Sequence, residues 1–228
     1  MCLRSILTET FKKNIRMVLV MKLITIGPPG SGKGTVAKRL AREFKLTHIS
    51  PGEMLREEVI KKTSLGEEVG KYISKGILVP DHIVSDMVKL KIRTHPTFVL
   101  DGFPRTVEQA KILNKFTKIN GVIFLDVSEK VAVERISGRR TCQKCAASFH
   151  VKYIKPKKTG VCDKCGGKLI QRKDQRPGVV KKRFKVYEKE SLPVVGFYKK
   201  KGILKKIDGS GTPEEVYELV KKVVKKIK

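Results

Sequence analysis

The chain has 228 residues, 40% of them hydrophobic, and its 51 Lys and Arg against 22 Asp and Glu give a net charge of +29. This length suffices for one main domain with a buried core, and because lysines interrupt every apolar run, no window reaches the roughly 18 apolar residues of a membrane-spanning helix. The composition predicts a soluble protein, and with 6% aromatic residues it lacks the base-stacking platform that would favour nucleic acid as the partner of this charge.

Residues 1–20 precede the first predicted strand and combine four basic residues with apolar ones. Such a segment has three interpretations: a targeting peptide, a basic amphipathic appendage, or translation from a start codon upstream of the natural one. The last two are favoured, because the sequence from Met21 onward reads as complete. We expect little order in this N-terminal extension.

The first motif is a glycine-rich loop, Gly27-Pro28-Pro29-Gly30-Ser31-Gly32-Lys33-Gly34-Thr35, between an apolar run at 23–26 and a helical pattern at 36–41. Glycines let successive backbone N–H groups point at a polyphosphate, and the helix start adds the positive end of its dipole. Lys33 can reach the phosphate that is transferred. The usual pattern has Ser or Thr directly after the lysine, whereas here Gly34 intervenes. The flanking strand and helix favour a nucleoside triphosphate site over a ligand-free turn.

From Met21 onward, apolar strand candidates alternate with helical patterns, and this alternation predicts an α/β fold with a parallel sheet wrapped by helices. The candidate strands are residues 22–26, 47–49, 97–100, 121–126 and 203–208. Three segments depart from the alternation: residues 50–79 are helical without a strand, residues 138–175 are rich in Cys, Gly and Lys, and a long helix runs from Pro177 towards Lys200.

One of these strands ends in the turn Leu100-Asp101-Gly102-Phe103-Pro104-Arg105-Thr106. Ligands of open α/β sheets bind beyond the carboxyl ends of the strands. Asp101 is placed to hold Mg²⁺ through water, and Arg105 to bind a phosphate with its planar guanidinium. The alternative, an ordinary turn with a surface arginine, is less favoured because the phosphate loop precedes it.

Four cysteines form two knuckles, Cys142-x-x-Cys145 and Cys162-x-x-Cys165, with sixteen residues between them. This spacing is typical of a four-thiolate zinc site. The alternatives are two redox dithiols or two disulfides, which are less favoured without a secretory signal. Four thiolates leave no coordination position for water, so the sequence predicts a structural zinc ion.

Together these motifs resemble the adenylate kinases of the nucleoside monophosphate kinase family, and the cysteines resemble their subset with a zinc-binding lid. The resemblance runs from Met21 to the C-terminus and rests on segments 27–35, 49–56, 76–81, 100–106 with Gln109, and 138–140. It implies a P-loop kinase domain at 21–228, with a five-stranded parallel sheet in a core of 21–49, 80–137 and 176–228. It also implies a helical monophosphate-binding insertion at 50–79 and a small zinc-ribbon-like lid at 138–175.

The resemblance further implies which residues bind the two nucleotides. ATP would be bound by Gly30, Ser31, Gly32, Lys33, Gly34, Thr35, Arg135 and Arg139. AMP would be bound by Pro51, Arg56, Ile77, Leu78, Val79, Gly102, Phe103, Pro104, Arg105, Gln109, Arg172 and Arg183, with Gln109 reading the adenine edge. The catalytic set would be Lys33, Asp101, Arg105, Arg139, Arg172 and Arg183. In so basic a chain, an arginine chosen at random is best interpreted as a solvated surface charge. Only their positions in the motifs distinguish the arginines named here.

Two positions depart from the family pattern. Pro51 stands where members usually carry Thr, Ser or Ala, so this position offers no donor to the base. The lid pattern Arg-x-Asp-Asp reads Arg172-Lys173-Asp174-Gln175, so one lid carboxylate is missing.

The predicted activity is reversible, Mg²⁺-dependent phosphoryl transfer from ATP to AMP giving two ADP, by a cytoplasmic monomer with a structural Zn²⁺ in its lid. No membrane or nucleic-acid partner is expected. A GTP:AMP kinase or a UMP/CMP kinase would share the phosphate loop, although the long lid and Gln109 argue against a pyrimidine enzyme. A zinc-ribbon nucleic-acid-binding protein would use the charge and the cysteines, but it would leave the phosphate loop unexplained.

Overall fold

Five short segments form one parallel sheet in the computed structural model, which describes residues 20–227. The strands are β1 (Lys22–Ile26), β2 (Thr47–Ile49), β3 (Phe98–Asp101), β4 (Gly121–Asp126) and β8 (Leu204–Asp208). Their order across the sheet is β2-β3-β1-β4-β8. The predicted parallel α/β fold is therefore confirmed, with β3 shifted by one residue and β8 beginning one residue later than predicted. The predicted N-terminal extension lies outside the described residues except for Val20.

The three central strands, β1, β3 and β4, are mostly apolar and buried because helices cover both faces of the sheet. Ile24, Leu100 and Ile123 are fully buried. In the register of the sheet, Thr25 pairs with Asp101 and Ile26 pairs with Phe124. The carboxyl ends of the three central strands therefore lie side by side, and the segments that follow them meet at one edge of the sheet.

Helices connect the strands and supply both covering layers. They are α1 (Lys33–Glu43), α2 (Pro51–Lys61), α3 (Ser64–Lys75), α4 (Asp81–Thr94), α5 (Val107–Phe116), α6 (Glu129–Ser137), α7 (Pro177–Val186), α8 (Leu192–Lys200) and α9 (Pro213–Val224). Each buries one apolar stripe; in α1 this stripe is Val36, Ala37 and Leu40. None of the helices described here is both long enough and apolar enough to cross a membrane.

Two groups of elements lie within the segments that interrupt the alternation. The helices α2 and α3 fall within 50–79 and pack on each other. A small antiparallel sheet falls within 138–175 and has the order β6-β5-β7. Its strands are β5 (Arg139–Cys142), β6 (Ser148–His150) and β7 (Leu169–Ile170). The domain boundaries inferred from the sequence remain a prediction.

The long helix predicted from Pro177 towards Lys200 is confirmed, but it contains an irregularity that the sequence did not predict. A π-helical turn, Tyr187–Ser191, separates α7 from α8. Pro193 has no N–H to donate to the preceding turn, and its ring crowds the carbonyl four residues earlier. The Leu192 N–H bonds the Tyr187 carbonyl, one residue further back than in an α-helix. The chain thus inserts one residue and remains helical as far as Lys200.

The C-terminal helix α9 is joined to α1 by several polar contacts. The Tyr217 hydroxyl donates to Glu43 at 2.7 Å, and the Lys221 Nζ lies 2.6 Å from the other Glu43 oxygen. The Arg39 guanidinium stacks over the Tyr217 ring, 4.0 Å from its centroid. These contacts hold the pKa of Glu43 below its ordinary value of 4.5, through the hydrogen bonds from Lys221 and Tyr217.

Tyr217→Phe is expected to lower the melting temperature by roughly 2–4 °C at pH 7, because it removes one hydrogen bond and leaves the ring in place. Glu43 titrates at a lower pH in the folded chain than in the unfolded one. Its contacts therefore add stability above pH 4.5, and this contribution disappears as the pH falls through the lower folded value. Thermal unfolding followed by circular dichroism, from pH 7 into the acid range, should show the difference in melting temperature between wild type and variant narrowing as Glu43 becomes protonated. A difference that stays constant down to acid unfolding would contradict the role of Glu43.

Candidate active site

The loop after β1 has the backbone of a phosphate-binding loop. Gly30 and Gly32 have φ values of 86° and 87°, which disfavour any residue with a Cβ. A Cβ on Gly30 would also lie 2.5 Å from the Ala132 carbonyl oxygen. The helix α1 begins at Lys33 without a side-chain cap from the described residues, so its first N–H groups face the loop. Free N–H groups at a helix start form an anion site.

Lys33 turns its amine into this site, where the Nζ donates to the Pro28 carbonyl at 3.1 Å. Burial lowers the pKa of Lys33 to about 7, and the nearby carboxylate of Asp101 only partly offsets this effect. The charges of Arg105, Arg183 and Arg139 lower it further. The lysine is therefore short of negative partners, and an incoming anion would supply one.

Asp101 ends β3 directly beside the phosphate loop. Its carboxylate accepts from the Ser50 hydroxyl at 3.2 Å and lies 3.6 Å from the His48 Nε2. Burial alone would raise the pKa of Asp101, but His48, Lys33 and Ser50 hold it below its ordinary value. An ionised carboxylate at this place fits a hydrated divalent cation, which prefers oxygen ligands.

The same carboxylate explains why a glycine follows Lys33. A Cβ on Gly34 would lie 3.0 Å from the Asp101 Oδ2, which is tighter than most Cβ contacts. A serine or threonine at this position would therefore press against the carboxylate. Glycine lets β3 and the start of α1 approach each other, which brings Asp101 and Lys33 into one site.

Five arginines predicted from the motifs converge on this site; this arginine cluster comprises Arg56, Arg105, Arg139, Arg172 and Arg183. Burial and the neighbouring charges lower the pKa of Arg56 and Arg183 to about 10, so both remain protonated at neutral pH. Charges of one sign this close together repel one another strongly when they are shielded from water. The cluster is an electrostatic match for several phosphate groups.

Asp174 is the buried carboxylate within the arginine cluster. Its two oxygens accept from the Nε and an Nη atom of Arg172 at 2.8 and 2.9 Å, and one of them also accepts from Arg183 at 3.0 Å. Burial alone would raise the pKa of Asp174, but these guanidinium groups hold it below its ordinary value. Asp174 therefore joins the segment after β7 to α7 and partly neutralises both arginines.

A cleft with an apolar end adjoins the arginine cluster. Its walls include the predicted base-binding residues Ile77, Leu78, Val79, Phe103 and Pro104, together with Pro51, Gly102 and Gln109. Gln109 is 2% exposed. Its Oε1 accepts from the backbone N–H of Arg105 at 2.7 Å, and its Nε2 donates to the Asp81 carboxylate at 2.6 Å. One lone pair and one N–H of the amide are left for a ligand.

Two residues next to Gln109 were not predicted as site residues. Asp81 is the first residue of α4, and Thr106 caps α5 by accepting from the Gln109 N–H. Acids and hydroxyl groups are common at helix starts for reasons of capping and dipole, so the sequence pattern gave them no other role. Tyr187 and Ser191 also line the cleft, from the π-helical turn that the sequence did not predict.

The four knuckle cysteines meet at one point. Their sulfur atoms all lie within 4.8 Å of one another, with 3.5 Å between Cys142 and Cys165 and 3.6 Å between Cys145 and Cys162. Tetrahedral Zn²⁺ with bonds of about 2.3 Å would separate its sulfur ligands by about 3.8 Å, whereas a disulfide requires about 2.05 Å. The Lys144 N–H also points at the Cys142 sulfur at 3.4 Å. The arrangement is that of free thiols that fit one metal ion.

Comparison with known proteins identifies the family. The family model described as adenylate kinase matches residues 25–203. Proteins named adenylate kinase from Clostridium tetani, Carboxydothermus hydrogenoformans and Archaeoglobus fulgidus are 43%, 44% and 44% identical to the chain. These matches cover 90%, 90% and 91% of this chain and 98%, 100% and 100% of the relatives.

The chain belongs to the adenylate kinase family. Membership confirms the resemblance drawn from the motifs and identifies the chain as a phosphotransferase. Adenylate kinases bind ATP and AMP and use Mg²⁺ with ATP. The matched residues include the phosphate loop, the Asp101 turn and all five arginines of the cluster.

The two departures from the adenylate kinase pattern have distinct surroundings. Pro51 is the first residue of α2, a position where its fixed φ and missing N–H suit a helix start. Gln175 is fully buried, and its Oε1 accepts from the Arg172 N–H at 3.0 Å, so the amide closes the turn that holds Asp174. Its Nε2 has no hydrogen-bond partner within residues 20–227.

Arg135 is the predicted ATP-binding arginine that stands outside the arginine cluster. Its guanidinium donates to the carbonyls of Gly209, Ser210 and Gly211 at 2.7, 2.9 and 2.7 Å, which binds α6 to the loop after β8. Three of its five N–H groups are occupied in this way. Contact between Arg135 and ATP remains a prediction.

Proposed function

We propose that the chain catalyses ATP + AMP ⇌ 2 ADP with Mg²⁺, and that the residues predicted from the motifs form its site. The observation that carries this proposal is the convergence of Lys33, Asp101 and the arginine cluster beyond the carboxyl ends of β1 and β3. Two polyanions have to meet in line for this reaction, and their repulsion is the main obstacle. A buried set of cations next to a phosphate loop answers that requirement.

The transfer requires no protein nucleophile, because the acceptor is already a phosphate oxygen. Lys33 and Arg139 would bind the ATP phosphates, and Arg56 and Arg105 the phosphate of AMP. Arg172 and Arg183 would stabilise the group in transit, held in place by Asp174. Mg²⁺ would be held through Asp101, and when bound it neutralises charge on the ATP phosphates. The segment 138–175 would close over the site and exclude water.

The acceptor base is assigned to the apolar end of the cleft. Residues 77–79 would pack on the base, and the free lone pair and N–H of Gln109 would pair with the adenine edge. A GTP:AMP kinase and a UMP/CMP kinase are the alternatives within the same chemistry. They differ from the proposal only in which nucleotides are turned over, so a coupled assay with each nucleotide pair distinguishes them.

AMP is expected to exceed GMP, CMP and UMP in kcat/KM as the acceptor, and Gln109→Ala is expected to lower the value for AMP by at least about tenfold. The effect follows from losing two hydrogen bonds to the base edge. The matched control is Asn114→Ala on the same helix. Pro51→Thr, which supplies a hydroxyl near the base, should sharpen the preference. Equal kcat/KM values for CMP and AMP in the wild type would remove the adenylate assignment.

The four cysteines are assigned to a structural Zn²⁺. The sulfur geometry supports a closed four-thiolate shell, which leaves no coordination position for water or substrate. The ion would therefore stabilise the small sheet of β5, β6 and β7 without taking part in the transfer. Location in the cytoplasm, a monomeric state and the absence of nucleic-acid binding complete the proposal. A DNA titration at several salt concentrations tests the last of these, since any binding caused by the +29 charge should weaken steeply with salt.

A further inference from the structure

The side-chain amide of Gln109 is fixed at both ends by partners of opposite kind. The backbone N–H of Arg105, which can only donate, lies 2.7 Å from the Oε1. The carboxylate of Asp81, which accepts, lies 2.6 Å from the Nε2. Gln109 is 2% exposed, so water cannot readily replace either partner. The identities of these partners determine which end of the amide is oxygen and which is nitrogen.

Asp81 is itself held in place. The Thr106 hydroxyl donates to the second carboxylate oxygen at 2.7 Å and accepts from the Gln109 backbone N–H at 3.1 Å. The network thus joins the start of α4 to the start of α5. Turning the amide by 180° would place its oxygen against the Asp81 carboxylate and its NH₂ group against the Arg105 N–H. Both contacts would be repulsive, and in a buried place such unpaired polar groups are costly.

The orientation of this amide bears on which purine it can pair with. Adenine carries a donor at its exocyclic N6 next to an acceptor at N1, whereas a 6-oxopurine carries an acceptor at O6 next to a donor at N1. An amide with fixed ends matches one of these edges and opposes the other. Because Pro51 offers no hydroxyl to the base, discrimination rests more heavily on the amide in this chain.

We propose that Asp81 is a positioning residue that fixes the amide orientation of Gln109 and so makes the acceptor site select adenine over 6-oxopurines. This inference rests on the proposed function, in which Gln109 faces the acceptor base. Asp81 does not touch the nucleotide in this scheme, and its effect reaches the base only through Gln109. Thr106 supports it by holding the second carboxylate oxygen.

The test compares kcat/KM for AMP and for IMP, whose base is a 6-oxopurine without the additional 2-amino group of guanine. Asp81→Ala is expected to lower the AMP-to-IMP ratio about tenfold, through KM for the monophosphate, with KM for ATP changed less than about twofold. Asp81→Asn should largely preserve the ratio, because its Oδ1 still accepts from the Gln109 Nε2. If Asp81→Ala acted only by disrupting the structure, Asp81→Asn would not restore the base preference selectively.

The decisive experiment is a double-mutant cycle of Asp81 and Gln109. In a Gln109→Ala background, Asp81→Ala should leave the AMP-to-IMP ratio unchanged, since its effect passes through Gln109. Glu129→Ala, which removes an exposed acid from the first turn of α6, is the matched control for helix-start charge and should not alter the ratio. Thr106→Val should lower it less than Asp81→Ala does, and it serves in place of Asp81→Ala if that variant does not fold.

The outcomes separate this inference from the proposed function. A wild type that turns over IMP as well as AMP would remove the assignment of Gln109 to the base. A wild type that prefers AMP, with Asp81→Ala and Thr106→Val both retaining the full ratio, would overturn only the role of Asp81. A fall in the ratio of equal size with and without Gln109 would also overturn it, because Asp81 would then act independently of the amide.

Discussion

Lys33→Met is expected to reduce phosphoryl transfer by at least about 10³-fold while changing the melting temperature by less than about 2 °C. Among residues 20–227 the lysine amine has one hydrogen bond, to a loop carbonyl, and it lies near Asp101 and several cations, so it contributes little to the core. Methionine has a similar length and removes the charge that would meet the phosphate in transit. Steady-state turnover and thermal unfolding measure the two effects, with the exposed Lys111→Met as the control. Turnover within about threefold of wild type would refute the assignment of the phosphate loop.

The lowered pKa of Lys33 predicts a second difference between the wild type and Lys33→Met. With a pKa of about 7, the Lys33 amine is mostly neutral in the free protein at pH 8, and the negative charge of bound ATP would raise that pKa. Binding of ATP at pH 8 should therefore take up protons, and less so at pH 6, where the amine is already protonated. Calorimetry in two buffers of different ionisation enthalpy detects this uptake. Lys33→Met should lose it, and an equal uptake in the variant would assign the proton to another group.

Removal of zinc is expected to loosen the sheet of β5, β6 and β7 before the rest of the chain unfolds. In the part of the chain that the structure describes, its buried cluster consists of cysteines together with Phe149 and Leu169, and Ala147 packs against them. This is too little apolar surface to offset the ordering entropy of the segment without a metal. Arg139 begins β5, and Arg172 lies two residues after the end of β7. Loosening the sheet should therefore displace two members of the arginine cluster and lower turnover by about tenfold or more.

The measurement combines metal analysis with limited proteolysis and thermal unfolding. The variant Cys162→Ser with Cys165→Ser, or treatment with a chelator, should give earlier cleavage near residues 155–158 and a new transition at lower temperature. Cys2→Ser is the matched control for a cysteine outside the knuckles. Reduced protein with no bound zinc and four freely titratable thiols would refute the metal site.

The sequence predicted the elements that are determined by residues close to one another in the chain. β1, β2 and β4 have the bounds that their apolar runs indicated, and the phosphate loop lies between a strand and a helix as its motif requires. What was not predicted depends on partners distant in the chain. Arg135 bonds carbonyls 74 to 76 residues away, and Asp81 meets Gln109 across 28 residues.

Two further features are marked in the sequence by an unusual residue, but their physical reason becomes clear only from the structure. Gly34 departs from the usual pattern after the lysine, and the close approach of Asp101 to this position depends on a residue 67 positions away. Pro193 stands in an otherwise helical pattern, but whether a proline kinks, ends or shifts a helix depends on the packing of both halves. Here the helix continues with one additional residue, and Tyr187 and Ser191 reach the cleft as a result.

The strand order has a consequence for biosynthesis. The first strand of residues 20–227 to be synthesised, β1, occupies the centre of the finished sheet, and its neighbours are β3 and β4. At 5–20 residues per second, roughly 4–15 seconds pass between the synthesis of Ile26 and that of Phe98. Throughout this interval the apolar run 23–26 has neither of its native neighbours. During synthesis, the nascent chain therefore exposes an apolar strand that becomes buried only when β3 and β4 pair with it.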